Sequence, residues 1–180
     1  PSEPVYFNAD CKRFDTEVDN KIVSIDTFTK TSLQNDKKVY GDYEEKGRLI
    51  PTLFINLLNG ENVKLGNPAA VRDFVYIDDV VEAYISILKN PEKIKGKIFN
   101  ISSGNQISIG EISEKVKSIL NSSCFLDFGN LSGRTFDSTT WLGDSSLFRE
   151  TFNWTPKKID EGLKKSAEWF SKNLNLYKEV

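Results

Sequence analysis

Residues 71–88 read VRDFVYIDDVVEAYISIL. Phe74 to Ile77 is an apolar, aromatic run with the length and composition of a strand. Asp78 and Asp79 follow, after which Val80, Val81, Tyr84, Ile85 and Leu88 recur at helical spacing. An aspartate at a helix start accepts orphan backbone N–H groups and suits the positive dipole end, so Asp78 is expected to cap this helix. Arg72 stands just before the strand, beside Asp73. Two readings of it are open. It is half of a surface ion pair, or it is an arm for an anion such as phosphate.

Working outward, Pro51 sits where a first helical turn tolerates proline, and Leu53, Phe54, Leu57 and Leu58 supply an apolar face that Gly60 ends. Val63 to Leu65 reads as a brief strand before a Gly66-Asn67-Pro68 turn. Beyond Leu88, KIFNIS (97–102) has a buried-strand pattern and Ser102 to Asn105 is turn chemistry. Ser108 and Glu111 form a capping box for a helix whose core face is Ile109, Ile112, Val116, Ile119 and Leu120. A strand is expected over Cys124–Phe128, loop over 129–143, and a short helix capped by Asp144. A last helix runs from Ile159 to about Leu174. Residues 1 to about 47 are harder to read: PVYF (4–7) and KIVSI (21–25) suit short strands, with loop between them. Strands alternate with helices, but the helices outnumber them. That predicts a small α/β or α+β domain that leans on further structure.

Composition excludes several classes of function. A net charge of −2 without a basic block leaves no nucleic-acid footprint. Histidine is absent, which removes His-based zinc sites and His-dependent triads from this chain. Cys11 and Cys124 match neither a metal spacing nor a disulfide framework. No run approaches the roughly 20 apolar residues that span a bilayer, and no signal peptide opens the chain, so a cytoplasmic location without membrane partners is expected. Methionine is absent and the chain opens at Pro1, which reads as a fragment or as a chain with residues missing.

Several patches occur in one order. They are Val39-Tyr40-Gly41, GRLIP (47–51), VRDFVYIDDV (71–80) and FNISSG (99–104), then Arg134 and Asp137 ahead of Asp144, NWTPK (153–157), EGL (161–163) and Trp169. Over residues 39 to 172 the chain thereby resembles the C-terminal, substrate-binding half of the NAD-dependent sugar-nucleotide epimerases and dehydratases, the extended short-chain dehydrogenase/reductases. The resemblance implies an α/β substrate lobe with the Rossmann core largely absent. Residues 1–40 would be an irregular remnant of the catalytic region, and 41–180 the nucleotide-sugar-binding domain.

The same resemblance implies roles. Arg72 and Arg134 would converge on the substrate diphosphate, with Asp137 accepting hydrogen bonds from the ribose. Leu65 would pack on the base, Tyr76 would face the cleft, and Lys38 would replace an asparagine that usually touches the diphosphate. Asp78, Asn100 and Trp154 would be structural. SIDTFTK (24–30) would overlie the Tyr-x-x-x-Lys segment, making Lys30 the catalytic lysine, but Asp26 stands in the tyrosine's place. An ionised aspartate cannot replace that tyrosine as acid/base. NAD or NADP belongs to the complete enzyme, which the family's isomerase and lyase activities require. No glycine-rich phosphate turn is present, so this chain alone is expected to bind none. The implied partner is a nucleotide-diphosphate sugar, and a homodimer of the complete protein stays open. A second reading, a non-catalytic nucleotide-sugar-binding or scaffold protein, fits the departures at Tyr-x-x-x-Lys.

Overall fold

The computed structural model describes residues 39–94, 97, 99–129 and 140–177, and the backbone alone of 13–18 and 21–26. At the front, β1 (Arg13–Val18) and β2 (Lys21–Asp26) pair antiparallel, Arg13 opposite Asp26 and Val18 opposite Lys21. The KIVSI strand is therefore present. Arg13–Val18, expected to be loop, is its partner: charged Arg13, Asp15 and Glu17 alternate with Phe14, Thr16 and Val18, a period of two that suits a strand despite the charges. PVYF lies outside the described residues.

Amphipathic spacing becomes helix close to where it was expected. The four main helices are α1 (Leu49–Leu58), α2 (Ile77–Lys89), α3 (Ile109–Ile119) and α5 (Ile159–Asn173), with the short α4 (Ser146–Phe152) between the last two. Gly60 turns α1 off with φ +75°, and Ser108 Oγ accepts from Glu111 N at 3.0 Å to start α3. Leu53, Phe54 and Leu57 of α1, Ile112 and Val116 of α3, and Leu163, Ala167 and Phe170 of α5 share one core. Phe54 stacks on Phe170 at 5.0 Å between ring centroids. A second, smaller cluster joins Ala83 of α2 to Phe148 and Trp154, with Phe99, Ile101 and Phe152 against it.

The remaining strands are short and pair in twos. β3 (Val39–Tyr40) runs parallel to β6 (Val75–Tyr76), and β4 (Val63–Leu65) parallel to β8 (Leu126–Phe128). β5 (Val71–Asp73) pairs antiparallel with β7 (Gln106–Ser108), Arg72 opposite Ile107. Two family patches meet at β3. Tyr40 Oη lies where a Cβ on Gly162 would come within 2.0 Å of it, so the glycine of EGL is required by the tyrosine of Val-Tyr-Gly.

Three expectations need correction. Phe74–Ile77 is not one strand: the pairing stops at Phe74, resumes at Val75–Tyr76, and α2 begins at Ile77. Asp78 does not cap α2. The cap position is Tyr76, without a side-chain bond, while Asp78 lies in the first turn and pairs with Lys165 at 3.1 Å. KIFNIS has no strand among its described residues and Asn100 is exposed; Phe99 and Ile101 instead pack into the second cluster. A continuous apolar run suits either role, so composition could not separate them.

Candidate functional site

Along a strand, successive side chains point to opposite faces, and β5 uses this to separate Arg72 from Asp73. Asp73 turns inward and is 1% exposed. Its Oδ1 accepts from Ser103 N at 2.9 Å and Ser103 Oγ at 2.5 Å. Its Oδ2 accepts from Gly104 N at 3.1 Å and Gly143 N at 3.0 Å. One carboxylate thus ties β5 to the turn after residue 102 and to the loop before α4. Gly143 must be glycine for the approach, since a Cβ would meet Ser102 Cβ at 2.4 Å. Arg149 completes the tie, donating to Ser103 O and, at 3.0 Å, to Ser145 Oγ, which donates to Ser102 O at 2.9 Å.

Arg72 faces the other way, half-buried. Its Nη1 donates to Val71 O at 2.7 Å, and the guanidinium carbon lies 5.1 Å from the centroid of the Trp141 ring. That separation is within cation–π range. Trp141 is itself held, its backbone N donating to Gln106 Oε1 at 3.0 Å. Gln106 sits opposite Asp73 in the β5–β7 ladder. On the neighbouring ladder Leu65 is opposite Phe128, and Gly129 N donates to Leu65 O at 3.1 Å. Both flanks of segment 130–139 are therefore fixed, one at β4 and the other at the β5–β7 pair. The segment holds Arg134 and Asp137, which lie outside the described residues, as do Lys38 and Lys30.

A second buried carboxylate stands in the first turn of α2. Asp79, 1% exposed, accepts from Lys157 N at 2.8 Å and pairs with Lys157 Nζ. That hydrogen bond holds the Lys157 pKa above its ordinary value. Trp154 Nε1 donates to Asp79 O at 3.2 Å, so the NWTPK patch is a buckle between the chain after α4 and the start of α2. Trp154 is the packing anchor that was expected, against Phe148 at 5.4 Å.

Tyr76 and Leu65 are core residues. Tyr76 packs on Tyr40 at 5.5 Å, and its hydroxyl is 3.5 Å from Asp42 Oδ1. Burial first, then Asp42 and Asp78, raise its pKa. Among the described contacts it meets Tyr40, Asp42 and Lys165, not the Arg72–Trp141 pair. Leu65 is 3% exposed within the main core. Ser24 to Asp26, read as part of a Tyr-x-x-x-Lys match, lie in β2. Strand backbone does not place residues four apart on neighbouring turns, as a helix does, so the described backbone gives that match no support.

Gln106, Ser103 and Trp141 were not singled out by the sequence, and Asp73 stood there only as a possible ion-pair partner of Arg72. The alternation Arg72-in-one-direction, Asp73-in-the-other was available once β5 was known. The partners 30 to 70 residues away were not.

Residues 35–102 match the model of the NAD dependent epimerase/dehydratase family. The CDP-abequose synthase of Salmonella muenchen is 30% identical over 128 residues, 71% of this chain and 43% of that protein. The UDP-glucuronate 4-epimerase of Thermodesulfobacterium geofontis is 32% identical over 117 residues, 64% of this chain and 35% of that protein. The chain belongs to this family. Its fold agrees: the UDP-glucose 4-epimerase of Thermotoga maritima, solved with UDP-glucose, superposes with TM-score 0.65 at 28% identity over 76% of this chain and 44% of that one. Bordetella bronchiseptica WbmF, solved with NAD+ and UDP, gives 0.63 at 27% identity over 78% and 45%. As a family member the chain spans less than half the length of these relatives. Among the described residues no helix is long and apolar enough to cross a membrane, and no cluster of metal-ligating side chains occurs.

Proposed function

We propose that residues 41–180 are the nucleotide-sugar-binding portion of an NAD(P)-dependent epimerase or dehydratase, and that Arg72 is its anchor for the substrate diphosphate. The observation that supports this reading is the division of labour on β5. Asp73 is taken up by Ser103, Gly104 and Gly143 on the inner face, while Arg72 is braced on the outer face by Val71 O and Trp141. A guanidinium makes paired, charge-assisted bonds to phosphate oxygens and keeps its charge at every accessible pH. Arg134 and Asp137, on the segment whose flanks are fixed beside β4 and β5, would complete the grip. The solved relatives carrying UDP-glucose or UDP bind ligands of this class.

On this reading the described residues are not where a dinucleotide binds. The N-termini of α1, α2, α3 and α5 are capped by Arg48, Tyr76, Ser108 and Lys158, none of them within a glycine-rich turn that could cradle a pyrophosphate. Hydride chemistry is therefore not assigned to them; this part of the protein holds and orients substrate. Residues 1–40 would belong to the catalytic region. Calorimetry on the full chain tests the reading, with UDP as ligand and NAD+ as control. UDP is expected to bind and NAD+ not to, and Arg72→Gln to weaken UDP tenfold or more, given about 1.5–3 kcal/mol per charge-assisted bond. Equal UDP affinity in the variant and the parent would refute it.

A further inference from the structure

We propose that residues 41–48 form a latch over the C-terminal 3-10 turn Leu174–Tyr177, closed while Glu44 carries its proton and released when Glu44 ionises. The loop joins β3 to α1 and is fastened at three places. Tyr177 Oη donates to Glu44 O at 2.8 Å, the Tyr43 ring meets Trp169 of α5 edge-on at 5.0 Å between centroids, and Tyr76 Oη lies 3.5 Å from Asp42 Oδ1. Trp169, Leu174 and Tyr177 pack in turn on the main core. The closed loop is held against strain. Tyr43 has φ +60°, a left-handed backbone that a bulky residue keeps only where its surroundings impose it, yet its ring is 78% exposed. The two ends of the loop differ. A Cβ on Gly41 would meet Ile77 Cγ2 at 2.6 Å, so that end is wedged, whereas at Gly47 (φ +93°) a Cβ would meet nothing within 4 Å among the described residues. The loop therefore has room to swing from its Gly47 end.

Glu44 sets the latch because part of its carboxyl lies inside. Oε2 is closed off from solvent without a hydrogen bond among the described residues, which a neutral carboxyl tolerates far better than a carboxylate. The groups that face it compensate only in part. Arg48, at the start of α1, and the Gly41 backbone favour the charged form, but Arg48 also pairs with Glu45 at 3.5 Å. Tyr40 of β3 and Tyr177 of the turn bring neutral phenols, which a Glu44 charge holds further from ionising. Asp42, Glu45 and Lys46 share the loop, and Lys165 of α5 is engaged by Asp78 at 3.1 Å. Burial therefore pushes the carboxyl up to about 8 in the closed loop, against an ordinary 4.5 once the loop is open. Below pH 4.5 both forms keep the proton and the latch stays shut. Between 4.5 and 8 only the open form has lost it, so opening is favoured about tenfold more per pH unit, and above 8 it is favoured no further. Release frees the Trp169 ring from Tyr43 and the Tyr177 hydroxyl from the loop.

Proton NMR of the full chain across this pH range reads the latch directly. The Trp169 indole N–H, identified by its loss in Trp169→Phe, should follow a one-proton curve between pH 4.5 and 8 as it leaves the ring current of Tyr43. The Trp154 indole, which donates to Asp79 O at 3.2 Å in the second cluster, should stay still. Glu44→Gln should abolish the Trp169 curve and hold the signal at its low-pH position. Tyr177→Phe removes the hydroxyl that fastens Glu44 O, and should move the midpoint down by about half a pH unit. A Trp169 curve that survives Glu44→Gln assigns the titration to another group and overturns the proposal. So does a Trp169 signal that never moves in the parent, or a midpoint indifferent to Tyr177→Phe. If Trp154 moves together with Trp169, the event is global and there is no latch.

Discussion

Asp73 and Asp79 stand six residues apart, are equally buried, and are satisfied in opposite ways. Asp79 has a cation, Lys157, plus that residue's own backbone amide. Asp73, among the described residues, collects three backbone N–H groups and a hydroxyl. A lysine on a flexible stem can turn to water when its partner is removed, and Lys157 is already a quarter exposed. Backbone amides cannot leave. Neutral donors fixed in the chain therefore make the more demanding foundation, and it is the one placed under the proposed anion site, where geometry matters most.

Replacing Asp73 should do the greatest damage. Asp73→Ala leaves the amides of Ser103, Gly104 and Gly143 without their acceptor, and a loss of about 3–4 kcal/mol is expected in chemical denaturation. Asp73→Asn should be nearly as harmful, because one of the two accepting oxygens becomes an NH2 facing N–H donors. Hydrogen exchange would localise the effect, with the Gly104 and Gly143 amides losing protection first. A harmless Asp73→Asn would show that the hub is looser than its distances imply. Asp79→Ala should cost less, about 2–3 kcal/mol, since Lys157 Nζ can be rehydrated and only its backbone amide is stranded. Asp79→Asn should recover much of that, as an amide oxygen still serves Lys157 N. If both aspartates respond alike to the Asn change, the contrast between mobile and fixed donors is wrong.

Much of this design could be read in the sequence where the signal was local. The helices follow from apolar residues at 3.6-residue spacing, and Gly60 and Ser108 mark their ends through chemistry within a few residues. The three-residue strand β7 carries one buried residue, Ile107, too little to register as a period. The proposed anion site was half legible. Arg72 could be named from its residue type and its family patch, but whether Asp73 would hold it depended on Ser103, Gly104 and Gly143. Those partners are brought in only by the fold, and Trp141 reaches Arg72 across 69 positions of chain for the same reason. Leu65 and Tyr76 show the converse: an apolar residue near a site has the same composition whether it lines the site or fills the core.

Glu44 supplies a third carboxylate that extends the comparison, one with an oxygen that no donor reaches among the described residues. It lies in the loop between β3 and α1, with Oε2 closed off from solvent and without a hydrogen bond among the described residues. Tyr177 Oη donates to its backbone carbonyl at 2.8 Å and helps hold the loop down. Burial pushes the carboxyl up from 4.5 to about 8, the nearby Arg48 charge opposing this only in part. The sign of the consequence follows from proton counting. Between pH 4.5 and 8 the unfolded chain has released this proton and the folded chain has kept it, so stability falls as pH rises through that window and levels off above it. Glu44→Gln cannot ionise, and should match the parent near pH 4 and exceed it increasingly up to pH 8. The gain is limited by how easily the surface loop swings out to hydrate an ionised Glu44, a cost of about 1 kcal/mol for a local opening. That corresponds to a rise in Tm of about 2–4 °C for a chain of this size. Thermal melts of both proteins at pH 4.5, 6 and 8 would check it. A constant difference across the series would mean that Glu44 is already hydrated and ionised in the folded protein. A half-satisfied carboxylate in this loop would then be no different from one at the surface.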